Sequence, residues 1–241
     1  MNIESIKKSL KNCPCGLQHD APLRRVEIGS GITPMTGRIL REEGFGDRLL
    51  FVADDNTLAA SAGISDALAG SGFELKKLIY PDMKYATAER VEEIEALCGD
   101  VDAVISVGSG SLNDICRVPA ARRGLPFCIF ATAPSMDGFA SGTSPIMRGN
   151  YKETWQAEQP AVIIADTDIL AAAPTELKAA GLGDMIAKYI AITDWKISSV
   201  LTGEVFCEKI AKLTLDAVDK CVSLAEKIPQ KDAEAAGAVM E

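Results

Sequence analysis

The stretch VDAVISVGSGSLNDICRV, residues 101–118, decides the fold. Its near-continuous apolar start is typical of a strand buried on both faces of a parallel sheet. Gly108 and Gly110 follow where this run ends, and the residues after them predict a helix. Such a turn brings backbone N–H groups and the positive end of a helix dipole to one point, which predicts a pyrophosphate cradle. The stretch lacks the third glycine of G-x-G-x-x-G, and a turn with no ligand is the alternative.

Strands and helices alternate on both sides of this stretch. Further apolar, β-branched runs predict strands at 24–29, 47–54, 73–80 and 125–132. Helical segments follow them, and one of these is expected to be a single helix over 56–72. Five strand–helix steps predict a doubly wound α/β layer. Residues 133–150 are expected to be loop throughout.

The second part of the chain has a different pattern. A ladder-like pair of strands is predicted at 151–157 and 160–166, and only helical periodicity follows Pro174. We place a boundary near residue 166, with an α/β nucleotide-binding domain and N-terminal arm over 1–166 and the start of an all-helical domain over 167–241. The last residues, PQKDAEAAGAVME, have little to bury, and no third helix is expected there.

Composition excludes several classes of function. The net charge is −9 with no block of Lys or Arg, which disfavours nucleic-acid binding. We expect no leader and no membrane span, because no apolar run approaches the roughly 20 residues that a span needs. Seven scattered cysteines fit a reduced compartment. We therefore expect a cytoplasmic, homo-oligomeric protein that acts on a small molecule.

One cluster of soft ligands stands near the start of the chain. Cys13, Cys15 and the single histidine, His19, lie within CPCGLQH. Zinc is one interpretation, but structural zinc sites usually use C-x2–4-C pairs and four ligands. No second pair follows nearby, so a turn-rich arm is the favoured interpretation.

Polar side chains also follow two other predicted strands. Asp54 closes the strand at 47–54, where a carboxylate can accept the ribose hydroxyls of NAD and repel the 2′-phosphate of NADP. It precedes a helix, so a capping role for one of its neighbours is compatible with this. The segment TAPSMDGFAS, residues 132–141, offers hydroxyl groups and Asp137 at the carboxyl end of a strand. A solvated loop is the alternative for that segment.

Asp184 lies within GLGDMIAKYIAITDWK, residues 181–196, an otherwise apolar helical run. A buried carboxylate is costly unless a cation or a hydrogen bond meets it. From the residues alone, Lys188 one turn later is the favoured partner.

Five motifs in order, VADDNT, VGSGSLNDICR, TAPSMDGFASGTSP, IIADTDIL and GLGDMIAKYIAITDWK, resemble the sn-glycerol-1-phosphate dehydrogenases. These belong to the metal-dependent superfamily of iron-type alcohol dehydrogenases, glycerol dehydrogenases and dehydroquinate synthases. The likeness covers residues 24–225, and the CPCGLQH arm resembles the bacterial branch. The resemblance implies a Rossmann-like domain followed by an incomplete helical domain, the dehydroquinate synthase-like fold. It also implies NAD(P)-dependent interconversion of glycerone phosphate and sn-glycerol 1-phosphate.

The resemblance further implies the roles of individual residues. Asp54 would meet the adenosine ribose, and Asp137 and Asp184 would be catalytic and touch the substrate. Asp184 would also bind a divalent metal ion (nickel, zinc or iron), which polarises the carbonyl during hydride transfer from the nicotinamide. The remaining cofactor-binding residues would be Gly108, Gly110, Ser111, Leu112, Asn113 and Asp114 around the pyrophosphate, and Thr132, Ser135 and Ser141 on the nicotinamide side.

The metal site that the resemblance implies takes two more ligands, both histidines, from later helices, whereas His19 is the single histidine here. We therefore expect a C-terminally truncated, inactive chain without tightly bound metal, whose last helices expose an apolar face and self-associate. NAD is expected to be preferred over NADP. Two alternatives stay open. One is a polyol dehydrogenase that acts on a substrate without phosphate; clustered cations that hold a phosphate would argue against it, and Lys188 and Arg148 are the candidates for this role. The other is a catalytically silent nucleotide-binding module.

Overall fold

The computed structural model describes residues 3–240. Its strands are β1 (Arg25–Gly29), β2 (Arg48–Asp54), β3 (Glu74–Tyr80), β4 (Ala103–Gly108), β5 (Phe127–Ala131), β6 (Thr143–Arg148), β7 (Tyr151–Gln156) and β8 (Val162–Asp166). Its α-helices are α1 (Ile3–Leu10), α2 (Thr36–Glu42), α3 (Asp55–Ala60), α4 (Ile64–Gly70), α5 (Ala88–Leu97), α6 (Gly110–Arg123), α7 (Thr167–Ala172), α8 (Thr175–Thr202), α9 (Glu208–Ser223) and α10 (Ala233–Ala238).

Six strands form one parallel sheet in the order β1-β8-β5-β4-β2-β3. Successive side chains of a strand point to opposite faces, and both faces of this sheet are covered. Phe51 and Ile105 share one apolar cluster with helices α2 and α4. Leu50 and Val104 share the other with helices α5 and α6. The predicted doubly wound α/β layer is thus confirmed.

The order of the strands reverses between β2 and β4. Strand β3 is added on the outer side of β2, whereas β4 and the strands beyond it lie on the other side. Helix α4, after β2, packs on one face of the sheet, and α6, after β4, packs on the opposite face. Ligands of open α/β sheets bind outside the carboxyl ends of the strands at such a switch point. Here the two strands end at Asp54 and Gly108.

Two segments of the α/β part differ from the sequence prediction. Residues 56–72 form two short helices, because the chain turns at Gly63 with φ +90°, a conformation that favours glycine. Residues 133–150 include strand β6, which forms an antiparallel two-stranded ribbon with β7.

The predicted pairing of 151–157 with 160–166 is also wrong. Strand β8 lies in the main sheet between β1 and β5, and all five of its residues are buried. A strand that is apolar on both faces belongs in a covered sheet. Strand β7 is largely exposed, which suits a ribbon on the surface.

The elements after β8 are helices up to residue 240, as the periodicity predicts. The expectation for the last residues is wrong, because they include helix α10. Asp232 caps it by accepting the N–H of Ala235 at 2.8 Å. Its last four residues, 235–238, are small and buried, and a Cβ added at Gly237 would lie 3.0 Å from Thr167 Cγ2. The small side chains that suggested a weak core allow this helix to pack closely against α7.

The long helices expose apolar side chains, as expected. Ile190, Val200 and Leu201 of α8 are 66%, 77% and 77% exposed, and Leu213 of α9 is 39% exposed. Within residues 3–240, no helix combines the length and the hydropathy that crossing a membrane requires.

Candidate dinucleotide and substrate site

The glycine loop follows β4 and opens α6. Ser109 is the N-cap, with an extended backbone (φ −123°, ψ −151°), and its side chain makes no capping hydrogen bond. The first N–H groups of a helix have no partner inside the helix, so they are available to an anion. A Cβ added at Gly110 would meet one atom within 4 Å, Met136 Sδ at 3.4 Å. The protein therefore leaves open the space in front of Gly110, and the loop fits a pyrophosphate group.

Gly108 has a different reason to be glycine. A Cβ there would overlap the side chain of Leu112, with its Cβ only 2.9 Å away. Leu112 is 3% exposed and packs under the first turn of α6. The packing of α6 on β4 thus already requires this glycine, independently of any ligand.

Asp54 and Thr132 flank the glycine loop. Strand β2 pairs with β4 up to Ala53 and Val107, so Asp54 lies at the neighbouring strand end. On the other side, the N–H of Thr132 donates to the carbonyl of Gly108 at 3.1 Å. Neighbouring strands are about 4.8 Å apart. Three adjacent strand ends thus bring these predicted residues into one row.

Asp54 is itself the cap of the helix that follows it. Its Oδ1 accepts the N–H of Thr57 at 2.8 Å, and the hydroxyl of Thr57 accepts the N–H of Asp54 at 3.0 Å. Its Oδ2 accepts the N–H of Met83 at 3.3 Å. The expectation that a neighbour caps this helix is therefore wrong. The contact with ribose stays a prediction, and the remaining lone pairs of the carboxylate would have to serve it.

The side chains of Asn113 and Asp114 point into the protein. Asn113 is fully buried, and its Oδ1 accepts the hydroxyl of Ser106 at 2.8 Å. Asp114 accepts from Arg117 Nη1 at 3.1 Å. Burial raises the pKa of Asp114 to about 6, against the opposing charge of Arg117. Both positions lie on the face of α6 that packs on the protein, so the structure does not place their side chains at the crevice.

Arg117 was missed by the sequence analysis. It is 1% exposed, and its guanidinium donates to the carbonyls of Thr143 at 2.9 Å, Gly138 at 2.9 Å and Phe139 at 3.1 Å. Burial lowers the pKa of Arg117, and Asp114 opposes this effect. Arg117 therefore fastens α6 to the loop that follows Asp137. The feature of the sequence that could have pointed to Arg117 is that it is a single arginine inside the apolar run ICRVPAA.

The other predicted hydroxyl groups are partly engaged within the protein. Ser111 Oγ donates to the carbonyl of Lys84 at 3.0 Å. Ser141 Oγ donates to the carbonyl of Thr143 at 3.0 Å and accepts the N–H of the same residue at 3.0 Å, which forms a turn. Ser135 is half-buried on the loop after β5.

Asp137 and Asp184 are in contact. The N–H of Asp137 donates to Asp184 Oδ2 at 2.9 Å, and Lys188 Nζ forms an ion pair with Asp137 Oδ2. Lys188 thus pairs with the loop carboxylate and not directly with Asp184, its neighbour on α8. The side chains of Lys188 and Asp137 are 27% and 32% exposed, so solvent reaches both.

The two carboxyl groups have opposite pKa shifts. Burial raises the pKa of Asp137, and Asp184 adds to this rise while Lys188 opposes it. Burial alone would also raise the pKa of Asp184, but the hydrogen bonds from Asp137 and the charge of Lys188 outweigh it and lower that pKa. Of the two carboxyl groups, Asp184 therefore stays ionised to lower pH.

Asp137 and Lys188 line a cleft of about 820 Å³. Helices α8 and α9 contribute Met185 and Leu213 to it, and the sheet contributes Val26 and Ile163. Mostly apolar clefts of this size with a few polar groups are typical of small-molecule sites.

The donors around Asp184 do not complete a catalytic metal site. Such a site usually has three protein ligands and an open position. Within residues 3–240, the group of three or more clustered His, Cys, Asp or Glu donors is Cys13, Cys15, His19 and Cys207, and Asp184 is not among them. The described residues do not by themselves hold an ion at Asp184.

A family model described as iron-containing alcohol dehydrogenase matches residues 27–174, more than half of the chain. The chain belongs to the iron-containing alcohol dehydrogenase family. The family membership predicted from the order of the motifs is confirmed.

Curated relatives with the name glycerol-1-phosphate dehydrogenase (NAD(P)+) include proteins from Bacillus velezensis and Bacillus subtilis. The chain is 38% identical to the protein from Bacillus velezensis over 179 residues, which cover 72% of this chain and 45% of the relative. It is 37% identical to the protein from Bacillus subtilis over 199 residues, which cover 80% of this chain and 50% of the relative. The chain thus spans about half the length of these curated relatives.

The fold is also that of solved structures. The crystal structure of glycerol dehydrogenase from Schizosaccharomyces pombe superposes with a TM-score of 0.74 at 19% identity, covering 90% of this chain and 59% of that chain. The likeness confirms the predicted fold, the dehydroquinate synthase-like fold of glycerol and alcohol dehydrogenases.

Proposed function

We propose that this chain takes part in the NAD(P)-dependent interconversion of glycerone phosphate and sn-glycerol 1-phosphate. The observation that carries the proposal is the row of strand ends at the switch point, where the open glycine loop lies between Asp54 and Thr132. The names of the relatives support the reaction and the substrate. NAD(P) and a divalent metal ion both fit the family.

The chain's own contribution is a cradle for the dinucleotide. The amino end of α6 and the open space at Gly110 would hold the pyrophosphate, with the adenosine ribose towards Asp54 and the nicotinamide towards Thr132 and Ser135. The bound cofactor would supply or accept the hydride. A carboxylate beside the ribose repels a 2′-phosphate, so NAD is the favoured cofactor.

Lys188 is better placed than Arg148 to bind the phosphate group of the substrate. It lines the cleft beside Asp137 and Asp184. Arg148 instead lies at the end of β6, 3.4 Å from Glu153, with its guanidinium 5.1 Å from the ring centroid of Trp155. Nickel, zinc or iron at Asp184 would need donors beyond Asp184 and Asp137, and residues 3–240 place no group of three His, Cys, Asp or Glu donors there. This observation favours a catalytically silent nucleotide-binding module as the second candidate function.

Replacement of Gly110 tests the cradle. In Gly110→Val the side chain occupies the space that the pyrophosphate would take, so we expect NADH to bind at least about tenfold more weakly. Gly110→Ala should have a smaller effect, because its Cβ makes only an ordinary contact with Met136. Gly70→Ala is the matched control, since a Cβ there meets nothing within 4 Å. Calorimetry measures the affinity and circular dichroism checks the fold. An unchanged affinity in folded Gly110→Val would refute the cradle.

Oxidation of NADH then separates the candidate reactions. Turnover with glycerone phosphate, but not with unphosphorylated dihydroxyacetone, supports the proposed reaction. Turnover with dihydroxyacetone alone supports a polyol dehydrogenase. Binding of NADH without turnover of either substrate, in the presence of added nickel, zinc or iron, supports the silent module.

A further inference from the structure

Four soft ligand atoms converge at the base of the N-terminal arm. They are the sulfur atoms of Cys13, Cys15 and Cys207 and the Nε2 atom of His19, and all lie within 4.8 Å of one another. Cys207 comes from the loop between α8 and α9, where it is the N-cap of α9. It supplies the fourth ligand whose absence near CPCGLQH argued against zinc in the sequence.

The distances within this cluster suit one tetrahedral ion. Cys13 Sγ and Cys207 Sγ are 3.5 Å apart, and His19 Nε2 lies 3.1 Å from Cys15 Sγ and 3.5 Å from Cys207 Sγ. With Zn–S near 2.3 Å and Zn–N near 2.0 Å, tetrahedral geometry puts pairs of sulfur atoms about 3.8 Å apart and sulfur about 3.5 Å from nitrogen. A disulfide would require a sulfur separation of about 2.0 Å.

A tight turn of the backbone brings the first two cysteines together. The N–H of Cys15 donates to the sulfur of Cys13, and the N–H of Leu17 donates to the sulfur of Cys15. Gly16 makes this tight turn possible, with φ +79°, and its own N–H donates to the carbonyl of Cys13 at 3.1 Å.

Two of the four ligands are buried. Cys13 is 8% exposed and Cys207 is 1% exposed. Cys15 and His19 are half-buried. Three thiolates with one imidazole are a known donor set of structural zinc sites. We propose that Cys13, Cys15, His19 and Cys207 bind one zinc ion in a structural site.

The site would fasten the arm to the helical part of the chain. One contact already joins these regions: Lys209 Nζ donates to the carbonyl of Ser9 at 2.9 Å. Within the arm itself, Lys7 Nζ donates to the carbonyl of Ala21 at 2.6 Å. A closed site with four protein ligands leaves no open position for a substrate. This zinc ion is therefore structural, and it is separate from any ion at Asp184.

Metal analysis of the full chain, purified with a reductant, tests the proposal. We expect one zinc ion per chain to be retained on dialysis and to be retained equally in Asp184→Asn. Cys207→Ser and Cys15→Ser should each lower the zinc affinity at least about 100-fold, because each removes one of the four ligands. Cys98→Ala, a buried cysteine outside the cluster, is the matched control and should keep the metal.

A cobalt spectrum decides the question even if the variants fail to fold. Cobalt in place of zinc in the wild-type chain should give strong thiolate charge-transfer bands and the d–d bands of a tetrahedral ion. Absence of the thiolate bands would overturn the proposal. Zinc that is kept in Cys207→Ser but lost in Asp184→Asn would also overturn it. So would a chain that binds no zinc and in which mass spectrometry finds a disulfide between Cys13 and Cys207.

Discussion

Gly181 sets the distance between α8 and the loop that carries Asp137. A Cβ added at Gly181 would overlap the carbonyl oxygen of Pro134 and would lie 2.8 Å from its carbonyl carbon and 3.0 Å from Val239 Cγ1. Asp184 lies one helical turn later and accepts the N–H of Asp137. We therefore expect Gly181→Ala to push α8 away from the loop and to weaken this hydrogen bond.

The magnitude follows from the overlap. Carbon atoms in contact prefer about 3.5–4.0 Å, so the backbone of Pro134 must move by roughly 1 Å, and a backbone carbonyl cannot rotate away as a side chain can. Overpacking costs about 1–3 kcal/mol, and we take the upper end for this reason. Alanine in place of glycine in a helix returns about 0.5–1 kcal/mol. Gly181→Ala should therefore lower the free energy of unfolding by about 2 kcal/mol.

Gly183→Ala is the matched control on the same helix. Gly183 is exposed, and a Cβ there would meet nothing within 4 Å, so this variant should gain about 0.5–1 kcal/mol of stability. Urea unfolding followed by circular dichroism gives both values. Carboxyl NMR should show the pKa of Asp184 rising towards its ordinary value in Gly181→Ala alone. Stabilisation of both variants to the same extent would refute the reasoning.

Two further predictions concern the charges of the site. Lys188→Met removes the cation between the loop and α8, so the pKa of Asp137 should rise further. Carboxyl NMR measures this pKa, and Lys188→Arg, which keeps the charge, is the control. An unchanged pKa in Lys188→Met would show that the ion pair is not formed in solution. Asp114 has a pKa raised to about 6, so its folded state favours the protonated form, and its contribution to stability is lost as the pH rises from about 4 to about 6. The free energy of unfolding of Asp114→Asn, relative to wild type, should therefore increase by on the order of 3 kcal/mol across this window, and urea unfolding that shows no such increase contradicts the assignment.

The sequence predicts five of the six strands of the parallel sheet because each is a short, mostly apolar or β-branched segment with a helix after it, whereas the place of the sixth, β8, was predicted wrongly. This information is local, and so is that of the glycine loop, where strand, turn and helix follow one another directly. The pairing of β7 with β6 and the burial of α10 could not be predicted in the same way. Both depend on which distant surface a segment meets, and neither an alternating pattern nor a run of alanines specifies that surface.

The same distinction between local and long-range information applies to the residues of the candidate site. Gly110, Asp137 and Asp184 could be predicted from motifs. That Asp54 caps its own helix and that Asp114 points inward could be seen only in the three-dimensional structure. Arg117 was not predicted because three of its acceptors are backbone carbonyls, which no residue type reveals. Cys207 lies 188 residues after His19, so the fourth ligand of the zinc cluster could not be predicted from the CPCGLQH segment alone.

Helix α8 links the proposed sites, and it is held near both ends. Near its start, Gly181 seats it against Pro134, which aligns Asp184 with the loop of Asp137. Just beyond its end, the loop that contains Cys207 joins the cysteine cluster of the arm. From Gly181 to the end of the helix at Thr202 is about 30 Å at 1.5 Å per residue. Over such a distance two anchors contribute independently, so a zinc ion at the arm would fix where the helix ends without touching Asp137 and Asp184.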